Sequence, residues 1–190
     1  MTQLLSKWAI PKIILPLFIL NLVFALFLFP KYENQLSDIA GEKVQILDKY
    51  PMYTKVQVME LFTKIKAEGR EVHRFMTSVI DMIYPLIYGP FLMLLITFFL
   101  KKVFGPKTGG IGFIFGICLL LMMADYAENF TTLQLLSSFP NLEDSVVSRG
   151  SSIANLKLVL LLLCSGIALF SALGWIGSYL IKMTVNRGRD

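Results

Sequence analysis

Histidine and cysteine are nearly missing from this chain. One histidine, His73, stands in 190 residues. No HxxxH or HExxH spacing surrounds it, which excludes the helix-borne zinc sites of metalloproteases, and at the edge of an apolar segment it reads as a solvated side chain. The two cysteines, Cys118 and Cys164, lie in separate apolar runs with no CxxC pair. That excludes a disulfide framework and a thiol oxidoreductase motif, and leaves them as small packing residues. There is no GxSxG elbow, and Ser78 near His73 makes no recognisable triad. Internal repeats and low-complexity tracts are missing too, so residues 1–190 read as one domain. Charge is the last scarcity: 16% of the residues are charged and 55% hydrophobic, with a mean hydropathy of +0.65. Such a balance excludes an ordinary soluble domain and points to an integral membrane protein.

Four segments are long and apolar enough to span a hydrocarbon core of about 30 Å, which takes roughly 20 helical residues. They run from Ile13 to Phe29, Met76 to Leu100, Ile111 to about Leu136, and Ile153 to Ile181. The second and fourth exceed the minimum and have room to tilt or emerge. Lys7 and Lys12 precede the first as they would a secretory signal, but no small-x-small cleavage pattern follows and Pro30-Lys31 close it abruptly, so it reads as a retained anchor.

Lysine and arginine set the orientation. Lys7 and Lys12 precede span one; Lys101, Lys102 and Lys107 join spans two and three; Lys182, Arg187 and Arg189 follow span four, with Asp190 the sole acid among them. These segments are expected in the cytoplasm of a multi-pass cell-membrane protein with both termini inside. The segment from Lys31 to Arg74 carries eight basic residues against seven acids and is expected outside as a cap over about residues 31–75. The net charge of +5 needs no nucleic-acid partner, because a basic rim on an anionic leaflet accounts for it.

Within the cap, Thr54 and Gln57 form a capping-box pattern, in which each side chain satisfies the other residue's backbone N–H. Val58, Leu61, Phe62 and Ile65 follow at helical spacing, and Gly69 is placed to end the helix in a left-handed conformation. An amphipathic helix of about three or four turns is predicted. Acids mix with bases on its polar face, which suits a cover over the bundle end better than a lid or an interfacial anchor. The stretch GEKVQILDKYP upstream stays open, with room for a short extended piece. The architecture expected is therefore an all-α four-helix transmembrane bundle with an extracytoplasmic amphipathic helix between spans one and two.

Charge inside the spans is the informative anomaly. A rise of about 1.5 Å per residue from Ile111 puts Asp125 and Glu128 in the outer part of the bilayer. Asp81 near the start of span two and Lys157 near the start of span four share that level. Arg74, Thr77, Asp81, Tyr84 and Tyr88 fall on one helical stripe, and Asp125, Glu128, Asn129 and Thr132 on another. Polar stripes turn inward in a membrane. Lys157, Leu161, Cys164, Ala168 and Ser171 form a face of mostly small residues on span four, and Gly112 with Gly116 is a small-xxx-small pair on span three. Pro85 lacks an N–H, so the carbonyl of Asp81 is left as a free acceptor beside the carboxylate.

A polar pocket of Arg74, Asp81, Tyr84, Tyr88, Asp125, Glu128, Asn129 and Lys157 is thus expected, facing outward beneath the cap. One reading is a buried network that fixes helix pairing. Another is a site for a lipid or protein partner. Asp125, Glu128 and Asp81 are the candidates for acid–base work on a lipid headgroup, with Lys157 as electrostatic partner. Asp81, Asp125, Glu128 and His73 also offer oxygen and nitrogen ligands to a hard divalent cation. A proton- or cation-coupled transporter is a further reading, one that needs a homo-oligomer to build a pathway. The cofactor is left unknown by the sequence.

The run YPMYTKVQVMELFTKIKAEGREVHRF, followed by DMIYPLIY and ADYAEN, resembles a set of small prokaryotic four-span membrane proteins with no assigned activity. In these a tyrosine-started amphipathic helix precedes a D-x-x-aromatic-P-L-x-Y span and a D-x-x-E-N span. The likeness covers Leu47 to Lys157. It implies the same architecture and marks Asp81, Tyr84, Pro85, Tyr88, Asp125, Glu128 and Asn129 as the signature, without a role for any of them.

Overall fold

The computed structural model describes residues 2–105 and 110–187. Lys107, Arg189 and Asp190, which bear on the orientation, lie outside the described residues, as does the Arg187 side chain. The described chain is helical, with four helices long and apolar enough to cross a membrane: Pro11–Ala40, Lys66–Phe104, Ile111–Ser138 and Asp144–Thr184. A short amino-terminal helix, α1 (Thr2–Trp8), precedes span one. Span one is built from α2 (Pro11–Val23), a π-helical turn (Phe24–Leu28) and α3 (Phe29–Ala40). The cap contributes a short 3-10 turn (Leu47–Lys49) and α4 (Lys55–Lys64). Span two is α5 (Lys66–Phe75), a second π-helical turn (Met76–Ile80), α6 (Asp81–Ile83) and α7 (Pro85–Phe104). Spans three and four are single helices, α8 (Ile111–Ser138) and α9 (Asp144–Arg187).

Pro30 does not end span one, contrary to the expectation from sequence. The helix runs on to Ala40, so the cap begins about ten residues later than predicted. A proline ring normally collides with the carbonyl four residues back. Here that carbonyl, on Leu26, sits inside the π-helical turn, where Phe29 donates instead to Phe24, and the widened turn accommodates the ring. Gly41, with φ 77°, then ends the helix.

Spans two, three and four pack on one another, while α2 and α3 lie along α7 and α5 without an extended interface to α9. Only 11% of the span-one apolar window is buried inside the protein, against 50% for span two, so span one is a peripheral helix resting on span two. The buried lower layer includes Ile96, Cys118, Leu121 and Cys164. The cysteine sulfurs lie 3.8 Å apart as free thiols. Gly116 has open space around it, so this glycine of the span-three pair makes no close helix approach. Close approach occurs instead at Gly89, against Met122, and at Gly150, against Tyr53 and Thr131.

The capping box forms as predicted: Thr54 N–H donates to Gln57 Oε1 at 2.8 Å, and Gln57 N–H to Thr54 Oγ1 at 3.3 Å. Val58, Leu61, Phe62 and Ile65 are buried with Leu36, Leu47, Leu135 and Val146 in the cap core. Gly69 does not end this helix. The break falls at Lys66, whose φ is 59°, and the chain re-enters a helix at once. Gly69 lies inside α5, where a Cβ would stand 2.7 Å from Ile65 Cβ, so its service is close packing, not a left-handed turn.

Candidate functional site

Lys157 is the centre of charge. Its ammonium contacts Glu128 directly, lies 3.3 Å from Asp125 Oδ1, and lies 3.7 Å from Asp48 Oδ2. Tyr88 donates its hydroxyl to Asp125 Oδ2 at 2.7 Å. Asp125 and Glu128 reach one ammonium because they stand nearly one turn apart on α8, and α9 packs along that face. Glu128 and Asn129 are fully buried behind the cavity wall; they do not line the cavity. Glu128 Oε1 has no hydrogen-bond partner.

Asp81 behaves differently. Its side chain is 5% exposed and lines the cavity, yet Oδ2 has no partner. Its backbone carbonyl, which lacks the proton that residue 85 would supply in an unbroken helix, accepts from Asn129 Nδ2 at 3.1 Å. Asn129 therefore serves the backbone of span two and not a carboxylate. Tyr126 makes a second tie by donating to Met82 O at 3.2 Å. The proline leaves a carbonyl to be satisfied, and span three satisfies it.

The cavity encloses about 450 Å³. Asn21, Ala25, Phe29 and Glu33 of span one form one wall, and Lys157, Leu161 and Ser165 of span four the other. Tyr84, Tyr88, Leu92, Leu121 and Asp125 lie between them, and Ile46, Asp48 and Lys49 close the cap end. Because α2 and α3 share no extended interface with α9, the cavity lies between those two spans. The charged residues lie at its cap end, and its deeper end is mostly apolar, with Asn21 and Ser165 beside Leu92, Leu121 and Leu161. Phe24 stacks on Tyr84 at 5.3 Å, Phe29 meets Tyr84 edge-on at 5.0 Å, and Tyr84 lies 5.0 Å from Tyr88. These rings attach the peripheral span beside the carboxylates.

Two residues are placed apart from the pocket. Arg74 donates to Ser137 Oγ at 3.0 Å and lies 3.7 Å from Glu71; it does not join the carboxylates. The π-helical turn between Arg74 and Asp81 inserts an extra residue, which rotates the upstream stripe by about 100°. His73, expected to be solvated, is 1% exposed and meets Phe62 edge-on in the cap core at 6.0 Å. Among the described residues no three His, Cys, Asp or Glu side chains are arranged to hold a metal ion.

Sequence reasoning missed Asp48, Glu33 and Lys49. Lys49 pairs with Glu33 at 2.5 Å over the cavity mouth, and Asp48 turns its carboxylate toward Lys157 from the 3-10 turn. No periodicity marks residues in so short a turn; the only signal was an acid flanked by Ile46, Leu47 and Tyr50. Tyr53, in the cap, donates its N–H to Ser151 Oγ at 2.9 Å. Burial pushes its phenol above the usual tyrosine value, and the Glu128 and Asp48 charges push the same way. No family model matches the chain, and no curated protein and no solved structure matches it either.

Proposed function

We propose that this protein holds a membrane lipid in the cavity between spans one and four, as a multi-pass protein of the cell membrane with both termini cytoplasmic and the cap outside. The observation that carries this reading is the cavity's polarity: Asp48, Asp81, Asp125 and Lys157 at the cap end, and Leu92, Leu121 and Leu161 deeper. A headgroup fits the first and an aliphatic chain the second. Kinship with four-span proteins carrying the same two intramembrane motifs belongs to the same proposal. The basic residues support the orientation. Lys101 donates to the Ser6 carbonyl, so the amino-terminal helix and the end of span two gather their lysines at the end opposite the cap.

The reading is tested by native mass spectrometry of the purified protein and of Leu161→Trp, whose added ring fills the apolar half of the cavity. A lipid retained by the parent and lost from the variant supports it. Equal lipid adducts on both contradict it. A second reading, a membrane enzyme acting on a lipid headgroup, is favoured by one observation. Asp125 and Glu128 are held by Lys157, but Asp81 is a residue of the cavity wall, where a general base would stand, and its Oδ2 has no hydrogen-bond partner. Turnover of a bound lipid that stops in Asp81→Asn, with binding retained, would establish that reading.

A further inference from the structure

We infer that the ligand of the cavity is an amphiphile with a positively charged nitrogen at its head and an aliphatic tail. The inference rests on the lipid-site reading above and names the chemistry of the head.

Charge balance gives the first argument. Glu33, Asp48, Asp81 and Asp125 line the cavity against Lys49 and Lys157. Both lysines are already engaged: Lys49 by Glu33, and Lys157 by three carboxylates including the buried Glu128. An anionic head would meet carboxylates, with both lining lysines already engaged. A positively charged head would meet Asp81, a residue of the cavity wall that is 95% buried and whose Oδ2 has no hydrogen-bond partner. Isolated buried charge is costly, and a cation of opposite sign removes that cost.

The second argument comes from shape and ring chemistry. Phe29, Tyr84, Tyr88 and Phe91 line the cavity, and Tyr84 is in ring contact with Phe29 and Tyr88. Aromatic faces beside a carboxylate attract alkylammonium groups and do not supply the oxygen shell that a metal ion needs. A metal ion is disfavoured also because no three candidate ligands converge among the described residues. The tail follows from the deeper wall of Leu92, Leu121 and Leu161, which a bare ammonium ion would leave uncovered.

The test is equilibrium binding of labelled dodecyltrimethylammonium to the full chain in neutral dodecyl maltoside micelles. The competitors are dodecanoate, with a matching tail and an anionic head, and tetramethylammonium, with the head alone. Saturable binding is expected, weakened about tenfold or more in Asp81→Asn, abolished in Leu161→Trp and unchanged in Asp144→Asn, an exposed acid of the cap rim. Both competitors should be poor. Equal binding to the parent and Asp81→Asn would overturn the inference, as would displacement by dodecanoate at matching concentration. Displacement by tetramethylammonium as strong as by the tailed ligand would overturn the amphiphile and leave a small ammonium cation. If the labelled cation does not bind while Leu161→Trp still loses its lipid in mass spectrometry, the cationic head is wrong and the lipid site stands. If Leu161→Trp affects neither measurement, both fall.

Discussion

Removing the Lys157 ammonium leaves Asp48, Asp125 and Glu128 facing one another in a site that little water reaches. Breaking a buried ion cluster from one side costs on the order of 3–5 kcal/mol, so Lys157→Met should melt far below the parent in differential scanning fluorimetry. Asp81→Asn is expected to melt as high as the parent or higher, because that carboxylate has no ionic partner to lose and its burial is a cost. If both variants melt low by similar amounts, Asp81 belongs to the structural network. Tyr53 supplies the pH dependence. Its folded-state value is raised above the usual value of about 10, so its contribution is complete below about pH 10 and is lost as the unfolded chain ionises above it. Melting followed from about pH 8 to about pH 11 should show an alkaline decline that Tyr53→Phe flattens; an unchanged decline would assign it elsewhere.

At the scale of the elements, the two π-helical turns set the geometry of the site. The first lets span one continue past Pro30 so that Glu33 reaches the cavity mouth. The second turns Arg74 away and is followed by the proline break that exposes the Asp81 carbonyl. That break makes a double-mutant prediction. Asn129→Ala should cost about 1–3 kcal/mol by leaving a buried carbonyl without a donor. Pro85→Ala restores an N–H four residues along the helix, so the asparagine substitution should cost less in that background. Additive melting shifts would contradict the role given to Asn129. Gly150 makes a similar test between the cap and span four. A Cβ there would overlap the Tyr53 hydroxyl and stand 2.7 Å from Thr131 Cγ2, so Gly150→Ala should lower the melting temperature and Tyr53→Phe should return part of the loss. The capping box and the apolar stripe of α4 were legible because both are local patterns of spacing. The fates of Pro30, Gly69 and Arg74 were not legible, because each depends on where the helix widens or breaks. An extra residue in a turn leaves no mark in hydrophobic periodicity.

Over the whole molecule, composition and span length settle the four-helix architecture, and the shared depth of Asp81, Asp125, Glu128 and Lys157 follows from helical rise and span direction. The packing order was not readable. Span one is as apolar as a core helix, and an apolar residue facing lipid looks the same in sequence as one facing protein. Its peripheral place, which leaves a cavity between it and span four, came only with the structure, as did the closure of the cap end by Asp48 and Lys49. The central claim is that the unpaired Asp81 serves a membrane ligand and not the stability of the bundle. The most direct measurement is the melting temperature of the delipidated parent and of Asp81→Asn, each with and without a total lipid extract of the host membrane. The account predicts that lipid raises the melting of the parent by more than that of Asp81→Asn, and that Asp81→Asn is at least as stable before lipid is added. A variant that melts lower than the parent, with neither protein responding to lipid, would contradict it.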